Sequence, residues 1–417
     1  MSYCTQPELG NNGDAIILHQ ERRYYLKGLL PEEQFEADFQ EGAFTNIHLL
    51  TPSVHRVKPI CTIADKCGGC DFQYMNVDFY QDMKRKMFHK AFSGRFPSEK
   101  IQETYCQASS RRRTTLSLYR DSEKFVWGYK QEKSHKIVTP DFCHILQPDF
   151  AKTLQEFVPL LQPFIPLQLQ GKLSCLQADN GIDLLMKGIP VLGQKKRLEL
   201  IAILEKFPQI IRVIWDKDLV LQKEVPVIYM GEYPVQAAAD MFFQASVQGQ
   251  DALIQRVKHH LQTYKASRKK TKKQLKIADM FAGAGTFTLP LASEGVIDAY
   301  DNASSSLESL KQAVQQNHLV NQITVHHRDL FRDCLSVFEL ATYDVIVLDP
   351  PRQGLGKQVE SLAKAKVPCV IMVFCDLQNA VQDATILQQA GYRMRALEFI
   401  DQFVYTPHIE GIVVFER

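Results

Sequence analysis

The order of hydrophobic and polar positions changes along the chain, most visibly after about residue 236. From there, short apolar runs alternate with segments of helical period; the runs are KIADMF, GVIDAY, ITVHH, YDVIVLD and CVIMVF. Such runs are typical of strands buried on both faces, and strands alternating with helices favour a parallel sheet. We expect a helix over AADMFFQASVQGQDALIQRVKHHLQTY before the first strand, and an antiparallel hairpin at the sheet edge from RMRALEFID and IEGIVVFER.

The earlier residues show two other patterns. Residues 1–57 carry short β-type segments separated by turns, AIILH, YYLKGLL and TNIHLL, which predict a small OB-like β-barrel. Residues 58–235 combine cysteines, one helical stretch (VDFYQDMKRKMFHKAF) and further strands, which predict a central α+β domain. The predicted fold class is therefore multidomain α/β, with a Rossmann-like sheet domain over residues 236–417.

The composition is that of a globular protein, since 45% of the 417 residues are hydrophobic and 23% are charged. No charged leader precedes an apolar stretch, and no apolar run is long enough to cross a bilayer, so the sequence predicts a cytoplasmic protein without membrane contact. Ten cysteines in such a chain favour reduced thiols, metal ligands or catalytic groups over a disulfide framework.

The net charge of +2 does not indicate a nucleic-acid partner, so any RNA contact has to come from local basic patches. One patch is Arg111 to Arg113, at the start of the alternating segment RRRTTLSLYR, where phosphate contact and a structural role are equally open. The other is the run KASRKKTKKQLK at residues 265–276, for which a solvated linker is the main alternative.

The segment IADMFAGAGTFTLPLA predicts a cofactor loop, because an apolar strand runs into a glycine-rich turn and then a helix. Gly283 and Gly285 let the backbone pass close to a ligand. The next strand ends in Asp301, which is placed to accept hydrogen bonds from ribose hydroxyls. Thr288 stands where a dinucleotide motif needs its third glycine, which favours S-adenosylmethionine (SAM) over NAD. Asp329, after the third strand, is placed either to meet adenine or to close a surface turn.

Two further residues follow strands of the same predicted sheet. Asp349 begins the segment DPPRQGL, where paired prolines hold it at the carboxyl end of the sheet. An acidic residue before paired prolines is typical of methyltransferases that act on a base, with a structural turn as the alternative. Cys375 follows the fifth strand, and a strand-end cysteine by itself is more often inert.

Cys375 becomes a candidate nucleophile when it is considered together with Glu410. Carbon 5 of uracil is not nucleophilic until a thiolate adds to carbon 6, and a base must later remove the carbon 5 proton so that the thiolate can leave. Glu410, at the start of the last apolar run, can reach the same sheet edge. The pair therefore predicts methyl transfer to carbon 5 of a uridine.

With these motifs the chain resembles, over nearly its whole length, the uracil-5-methyltransferases of tRNA and large-subunit rRNA. That family carries a Gly-x-Gly-x-Phe loop, an Asp-Pro-Pro-Arg segment, a cysteine after the next strand and a His-hydrophobic-Glu sequence near the end. The matching positions are Gly283–Phe287, Asp349–Arg352, Cys375 and His408–Glu410. The resemblance implies a class I SAM-dependent methyltransferase with Cys375 as nucleophile and Glu410 as base.

The resemblance also implies a cofactor site and a substrate. The segment MFFQAS is similar to the family's Phe-Phe-Gln segment, whose glutamine contacts the cofactor. The residues expected to line the cofactor are Gln244, Phe281, Gly283, Gly285, Thr286, Asp301, Asp329 and Asp349. The implied partner is RNA, with 23S rRNA expected and tRNA as the alternative, and we expect a monomer.

Three cysteines, Cys61, Cys67 and Cys70, form a C-x5-C-x2-C pattern that lets one loop deliver three thiolates to a single metal centre. From the spacing alone, zinc and an iron–sulfur cluster are both open. The resemblance is closest to the iron–sulfur, TRAM-bearing 23S rRNA enzymes, which carry this CGGC segment and a later cysteine before Ile-Leu, here Cys143 in DFCHIL. It therefore implies a 4Fe–4S cluster held by the four cysteines, and it likens residues 1–57 to the TRAM barrel.

The chain departs from the family at four positions. Phe374, Asp376 and Leu377 stand where the family has Ser, Asn and Pro around the nucleophile, and Ser246 replaces an Asn. An acidic group beside the thiol should raise the pKa of Cys375. Two other hypotheses are therefore kept: a methyltransferase of the same fold that acts on an amino nitrogen, and an RNA-binding iron–sulfur protein that has lost catalysis.

Overall fold

The structure is a computed structural model that describes residues 2–132, 134–268 and 274–417. The middle of the basic run, residues 269–273, lies outside the described residues, so the prediction made for it stays a prediction. Within the described ranges, no helix combines the length and the apolar character needed to cross a membrane.

The N-terminal sheet is antiparallel and has the strand order β3-β2-β1-β4-β5. Its strands are β1 (Ser2–Leu9), β2 (Ala15–His19), β3 (Arg22–Leu26), β4 (Gln34–Gln40) and β5 (Ala43–Thr51). A small core forms on one face, with Ile17, Phe35 and Phe44 as its larger members. The unit is a half-barrel, which agrees with the β-type pattern of residues 1–57.

The central residues begin with α1 (Val77–Ala91) and β6 (Gln102–Tyr105), which pack with the C-terminal sheet. A seven-stranded sheet follows, with the order β13-β12-β11-β10-β7-β8-β9. Its elements in chain order are β7 (Arg113–Arg120), β8 (Phe125–Lys130), β9 (Ile137–Val138), α2 (Pro148–Phe157), β10 (Leu169–Ala178), β11 (Gly181–Lys187), α3 (Gln194–Leu204), β12 (Ile210–Trp215) and β13 (Asp218–Gln222). A two-stranded ladder of β14 (Val227–Met230) and β15 (Tyr233–Gln236) leads to the C-terminal part.

The C-terminal sheet has eight strands in the order β18-β17-β16-β19-β20-β22-β21-β6. The elements are α4 (Val247–Ser267), β16 (Leu275–Met280), β17 (Gly295–Asp301), α5 (Ser304–Gln316), β18 (Ile323–His327), α6 (Val337–Leu340), β19 (Val345–Leu348), α7 (Gln358–Ala365), β20 (Cys369–Phe374), α8 (Leu377–Gln389), β21 (Arg393–Asp401) and β22 (Glu410–Glu416). β16 to β20 pair in parallel, as their apolar runs predict, and β20, β22 and β21 pair antiparallel.

Burial on both faces explains the apolar runs of this sheet. All four residues of β19 and all six of β20 are buried. Alternate side chains enter two different cores, since Val345 and Val347 belong to one cluster and Ile346 and Leu348 to the other. The sheet therefore presents its carboxyl edge, rather than a face, to a ligand.

Three local expectations were wrong. The helix before β16 begins only at Val247, because residues ahead of it pair with the central sheet: the N–H of Arg112 donates to Ala245 O at 3.0 Å. Residues 283–294 form consecutive turns rather than a regular helix, and Pro290 supplies no N–H within them. The hairpin of β21 and β22 is present but does not end the sheet, because β6 from the central part pairs in parallel with β21.

Candidate active site

The predicted cofactor loop follows β16 and contains three residues of positive φ. Phe281 has φ +64°, Gly283 +55° and Gly285 +90°. A Cβ at Gly285 would lie 2.5 Å from Leu310 Cδ1, so packing against α5 requires glycine there. A Cβ at Gly283 would meet no atom within 4 Å. The space over Gly283 is therefore open, as a ligand-binding loop requires.

Asp301, at the end of β17, holds this loop in place. Its Oδ2 accepts a hydrogen bond from the N–H of Gly283 at 2.8 Å, and its Oδ1 accepts one from the N–H of Ala303 at 2.8 Å. Each oxygen has a further lone pair. Asp301 can therefore orient the loop and still accept from a ribose hydroxyl.

The other predicted lining residues lie around the same loop. Phe281 packs its ring 5.3 Å from the ring of Phe331, and Thr286 is half-buried within the turn. Asp329 Oδ1 accepts hydrogen bonds from the N–H groups of Phe331 at 3.0 Å and Arg332 at 3.3 Å. Asp329 thus closes its own turn through Oδ1, and the turn carries the ring that packs on Phe281; contact of Asp329 with adenine stays a prediction.

Thr288, at the position of the missing third glycine, is fully buried. Its hydroxyl donates to Asp279 Oδ2 at 2.5 Å, while Oδ1 of the same carboxyl has no hydrogen-bond partner among the described residues. Burial raises the pKa of Asp279 to about 7. The threonine therefore ties the loop to β16, a role that glycine could not perform.

Cys375 and Glu410 face each other across the pair of β20 and β22. Phe374 is paired with Gly411 in this antiparallel ladder, and Cys375 and Glu410 are the next residues along the two strands. Directly opposed residues in such a ladder have Cα atoms about 4.5–5.5 Å apart. The structure thus brings the predicted nucleophile and the predicted base together at the carboxyl edge of the sheet.

A chain of hydrogen bonds joins the predicted base to the cofactor side of the edge. Gln244 Nε2 donates to Asp349 Oδ2 at 3.1 Å. Gln402 Nε2 donates to Gln244 Oε1 at 2.9 Å and to Glu410 Oε2 at 2.7 Å. Sequence reasoning missed Gln402, since a glutamine in the connection after a strand belongs to no motif; only the fold shows where it lies.

Burial and clustered acids set the electrostatics of this edge. Burial raises the pKa of Glu410 well above its usual range, and the carboxylate of Asp349 raises it further. Burial also raises the pKa of Asp349 to about 7. The pKa of the Cys375 thiol is raised to about 12 by burial, then by Glu410 and Asp349, while Arg352 opposes these effects. The cationic side chain of Arg352 therefore favours both the thiolate and the ionised base.

The departures from the family pattern have structural explanations. Asp376 is the N-cap of α8, accepting from the N–H of Asn379 at 3.0 Å, and it is among the groups that raise the pKa of Cys375, as expected. Leu377 is the first residue of α8. The ring of Phe374 covers Gly411, where a Cβ would lie 2.3 Å from it. Ser246 is the N-cap of α4.

A cleft of about 1170 Å³ opens beside Cys375. Its walls come from three parts of the chain: Cys375 and Gln378 from the C-terminal part, Lys86 and Lys90 from α1, and Asn11 from the N-terminal half-barrel. Lys90 Nζ donates to Asn11 Oδ1 at 3.1 Å across this cleft. The groove that reaches the thiol also carries the acidic side chains of Glu8, Asp82 and Asp376, and Asp82 pairs with Lys86, so its charge is mixed.

The four predicted metal ligands line a second cavity, of about 560 Å³. Cys61, Cys67 and Cys70 lie on the loop after β5, and Cys143 on the loop after β9. Thr62 Oγ1 donates to Asp141 Oδ2 at 2.8 Å and joins the two loops. From β8, Lys130 O accepts from Gly68 N at 3.0 Å, and Tyr129 Oη donates to Cys143 Sγ at 3.4 Å. Distant segments are thus brought together as the spacing and the resemblance imply.

The four cysteines meet some of the requirements of a metal centre and not others. The thiols are close enough to interact, because Cys61, Cys67 and Cys143 all add to the effect of burial, which raises the pKa of Cys70 to about 12. In the described part of the chain, however, no three Cys, His, Asp or Glu side chains are grouped so that they hold a metal ion. The ligand types and their shared cavity fit a thiolate-bound centre, whereas coordination geometry is not formed.

The arginine triplet divides between two roles. Arg112 is 1% exposed and its guanidinium donates to the side chain of Gln250 and to Gln244 O, so it cannot contact phosphate. Arg111 and Arg113 line the cysteine cavity, and Arg113 lies 4.3 Å above the ring of Phe242. Phosphate contact by Arg111 and Arg113 stays a prediction.

A parallel sheet with a glycine loop and acidic residues at its carboxyl edge is an arrangement in which α/β folds bind nucleotide-like ligands, and SAM-dependent methyltransferases are one class of proteins that use it. Residues 247–417 match the model of the tRNA (uracil-5-)-methyltransferase family. The resemblance inferred from the motifs is thereby confirmed.

Relatives match over almost the whole chain. An uncharacterized RNA methyltransferase of Brucella melitensis is 27% identical, with 98% of this chain and 96% of the relative covered. The 23S rRNA (uracil(1939)-C(5))-methyltransferase RlmD of Pectobacterium atrosepticum is 26% identical, with 97% of this chain and 91% of that protein covered. The half-barrel and the central part therefore have counterparts in these RNA methyltransferases.

One solved structure has the same overall fold. The tRNA (uracil-54, C5)-methyltransferase of Pyrococcus abyssi, in complex with S-adenosyl-L-homocysteine, superposes with a TM-score of 0.74. The match covers 99% of both chains at 20% sequence identity. At this identity the likeness establishes the arrangement of the chain, not the substrate.

Proposed function

We propose that the protein methylates carbon 5 of a uridine in RNA, with SAM as methyl donor, Cys375 as nucleophile and Glu410 as base. The observation that carries the proposal is the placement of Cys375, directly after β20, beside Glu410, the first residue of β22, at the edge where the open glycine loop lies. An amino-nitrogen methyltransferase needs no thiol and no buried carboxylate beside it.

Each residue has a distinct task in this scheme. Cys375 Sγ adds to carbon 6 of the uracil, which makes carbon 5 nucleophilic, and SAM supplies the methyl group. Glu410 then takes the proton from carbon 5, the double bond to carbon 6 reforms and the thiolate leaves. Arg352, whose charge lowers the pKa of both Cys375 and Glu410, favours the ionised forms that these steps require.

The cofactor side is assigned on the same grounds. The glycine loop with Gly283, Gly285 and Thr286 would face the donor, and Asp301 and Gln244 would contact it from the neighbouring segments. Phe281, Asp329 and Asp349 complete the proposed set. The loop is supported by the open space over Gly283 and by the orientation that Asp301 imposes on it.

We further propose that Cys61, Cys67, Cys70 and Cys143 hold a 4Fe–4S cluster. Support comes from their shared cavity, and the ligand type suits such a cluster. The reaction moves no electrons, so the cluster would hold the central fold and position RNA. In the same proposal, residues 1–57 are a TRAM-type domain, 58–235 the cluster domain and 236–417 the methyltransferase domain, although β6 extends the third.

The RNA substrate is proposed to be 23S rRNA, with tRNA as the alternative. The relative named RlmD acts, by its name, on 23S rRNA, and its match covers 97% of this chain. Mapping 5-methyluridine in 23S rRNA and tRNA from cells with and without the gene tests this directly. Loss of the modification from tRNA alone would favour the alternative.

The mechanism is tested by trapping. RNA containing 5-fluorouridine should form a SAM-dependent covalent complex with the wild-type protein, seen as a slowed band on a denaturing gel. Cys375→Ala should bind SAM normally but give no complex, and Glu410→Gln should form a complex even with ordinary uridine. As a control, Cys334→Ala removes a thiol with no proposed role and should leave turnover unchanged.

The alternatives predict other results. Turnover by Cys375→Ala near the wild-type rate would favour methylation of an amino nitrogen. Failure of the wild-type protein to bind SAM would favour an RNA-binding protein that has lost catalysis.

A further inference from the structure

Gln402 lies at the junction of the two halves of the proposed site. It follows β21 directly and is 4% exposed. Its Nε2 donates one hydrogen bond to Glu410 Oε2 and another to Gln244 Oε1, and Gln244 donates onward to Asp349. A single amide nitrogen therefore connects the proposed base with the cofactor side.

The directions of these hydrogen bonds leave one orientation for the amide. An amide nitrogen carries two N–H groups, and both are used here, one for each acceptor. If the Gln402 amide were reversed, its oxygen would face the oxygens of Glu410 and Gln244. Glu410 Oε2 accepts a hydrogen bond from Gln402, whereas Oε1 of the same carboxylate accepts none from the described residues. One oxygen of the carboxylate is held and the other is left to react.

The packing around Gln402 is as specific as its hydrogen bonds. Gly249, in the first turn of α4, lies against it: a Cβ at this glycine would be 2.6 Å from both Cβ and Oε1 of Gln402. Glycine in a helix normally costs stability relative to alanine. Its presence here therefore makes room for the Gln402 side chain.

We propose that Gln402 is a positioning residue for proton removal: its amide holds Glu410 Oε2 so that Oε1 takes the proton from carbon 5 of the methylated uridine. This inference rests on the proposed function. In the step, the carbon 5–hydrogen bond breaks and its electrons form the double bond to carbon 6. The carbon 6–sulfur bond breaks, the electron pair leaves with the Cys375 thiolate, and the proton remains on Glu410.

The charges around Glu410 give the inference a pH dependence. Asp349 opposes ionisation of Glu410, and the donor on Gln402 and the charge of Arg352 favour it. Cys375, which directly follows β20, is the titratable group on one side of Glu410. On the other side, β21 carries two carboxylates, and both form ion pairs with other residues. Glu398 pairs with Arg256, and Asp401 pairs with Lys84. Loss of the Gln402 donor should therefore raise the pKa of Glu410, and release of product should need a higher pH.

The experiment compares Gln402→Met with wild type in single-turnover reactions on the RNA that the wild-type protein methylates. Methionine keeps the length of the side chain but cannot donate a hydrogen bond. We expect release of methylated RNA to slow by about 10- to 100-fold, the range for a hydrogen bond to a charged group. Formation of the covalent complex should change much less, so the complex should accumulate.

Two further measurements separate positioning from a general structural effect. Deuterium at carbon 5 of the target uridine should slow release by Gln402→Met more than release by wild type, because proton removal becomes limiting. In Gln402→Met, the fall of the release rate at low pH should begin at a higher pH than in wild type, because the pKa of Glu410 is raised. Gly249→Ala, which crowds Gln402 without touching Glu410, should show the same pattern in a weaker form, and the exposed Gln389→Met should behave as wild type.

The inference is overturned if Gln402→Met slows formation of the covalent complex and release of the product equally. It is also overturned if Gln402→Met releases the product at the wild-type rate. If Gln402→Met does not fold, Gly249→Ala decides by the same criteria. A wild-type protein that makes no 5-methyluridine would instead overturn the proposed function itself.

Discussion

The strongest test of how the C-terminal site is held concerns Lys84. Its side chain, on α1, is fully buried, and its ammonium donates to the carbonyls of Thr406 at 2.8 Å and His408 at 2.5 Å. The ammonium lies 3.1 Å from Asp401 Oδ1, and Tyr80 donates to Oδ2 of the same carboxylate at 2.5 Å. One cation therefore ties α1 to the connection that leads from β21 to Glu410.

The expected cost of Lys84→Met follows from burial. Removing one partner of a buried ion pair costs about 3–5 kcal/mol, because the remaining charge stays desolvated and uncompensated. The carbonyls of Thr406 and His408 also lose a hydrogen-bond donor in Lys84→Met. Because they lie beside the same ammonium as Asp401, their cost does not simply add to that of the ion pair. We expect a loss of about 4 kcal/mol in the local opening free energy. Adding Asp401→Asn removes the unpaired charge and should recover about 2 kcal/mol.

Hydrogen exchange measured on a peptide spanning residues 402–409 is the appropriate assay. Both tryptophans, Trp127 and Trp215, lie in the central sheet, so their fluorescence would not report on this connection. A loss of about 4 kcal/mol corresponds to about 1000-fold faster exchange through local opening.

Lys86→Met is the matched control. Lys86 is on the same helix but is 77% exposed, and it forms an ion pair with Asp82. Exposed pairs of this kind contribute about 0–1 kcal/mol. The reasoning fails if Lys84→Met exchanges no faster than Lys86→Met, or if the double variant is no more protected than Lys84→Met.

Three further predictions test other parts of the molecule. Burial raises the pKa of Asp279 from 3.8 to about 7, so the folded state binds the proton more tightly and the free energy of unfolding falls as pH rises from about 4 to 7. Asp279→Asn should make the free energy of unfolding less dependent on pH, but some dependence should remain because the pKa of Asp349 is raised in the same way. Urea titrations at several pH values without SAM measure this dependence. An unchanged dependence in Asp279→Asn would contradict the prediction. Anaerobically purified protein should contain about four irons per chain, and Cys67→Ser or Cys143→Ser should lose them while keeping SAM affinity; stoichiometric zinc, or full iron content in Cys143→Ser, would contradict the cluster assignment. Gly283→Ala should weaken SAM binding, measured by calorimetry, far more than it lowers stability, since its Cβ enters open space at a cost of about 1–2 kcal/mol in backbone strain; equal losses would count against the loop assignment.

Much of the fold could be predicted because buried parallel strands leave a strong pattern. The apolar runs of β19 and β20 are continuous, and those of β16 to β18 still alternate with helices, so the number of strands and their carboxyl ends follow from the sequence. Residues that follow such strands have to meet at one edge, and this places Asp301, Asp349 and Cys375 together without knowledge of the packing. The opposition of Cys375 and Glu410 additionally needs the register of β20 and β22, which the sequence does not give.

The failures arose where distant segments decide local structure. The predicted helical segment begins at Ala238, but pairing of Arg112 with Ala245 keeps those residues out of the helix until Ser246 can cap α4. β6 is a short strand from the central part, and no local signal indicates that it joins the C-terminal sheet. Gln402 and Lys84 act through partners that only the fold brings near, so their residue types alone indicate nothing.

The departures from the family pattern illustrate how motif and fold interact. Asp and Asn are equally good N-caps, so Asp376 preserves the start of α8 and changes only the charge beside the thiol. Phe374 fills the space over Gly411 and packs against Phe88 of α1, the helix that also carries Lys84, and against Phe92, which caps that helix. The residue before the nucleophile thus helps to dock the helix whose buried cation holds the connection to Glu410. The replacement of the family's Ser by Phe374 therefore helps to stabilise the site in this structure.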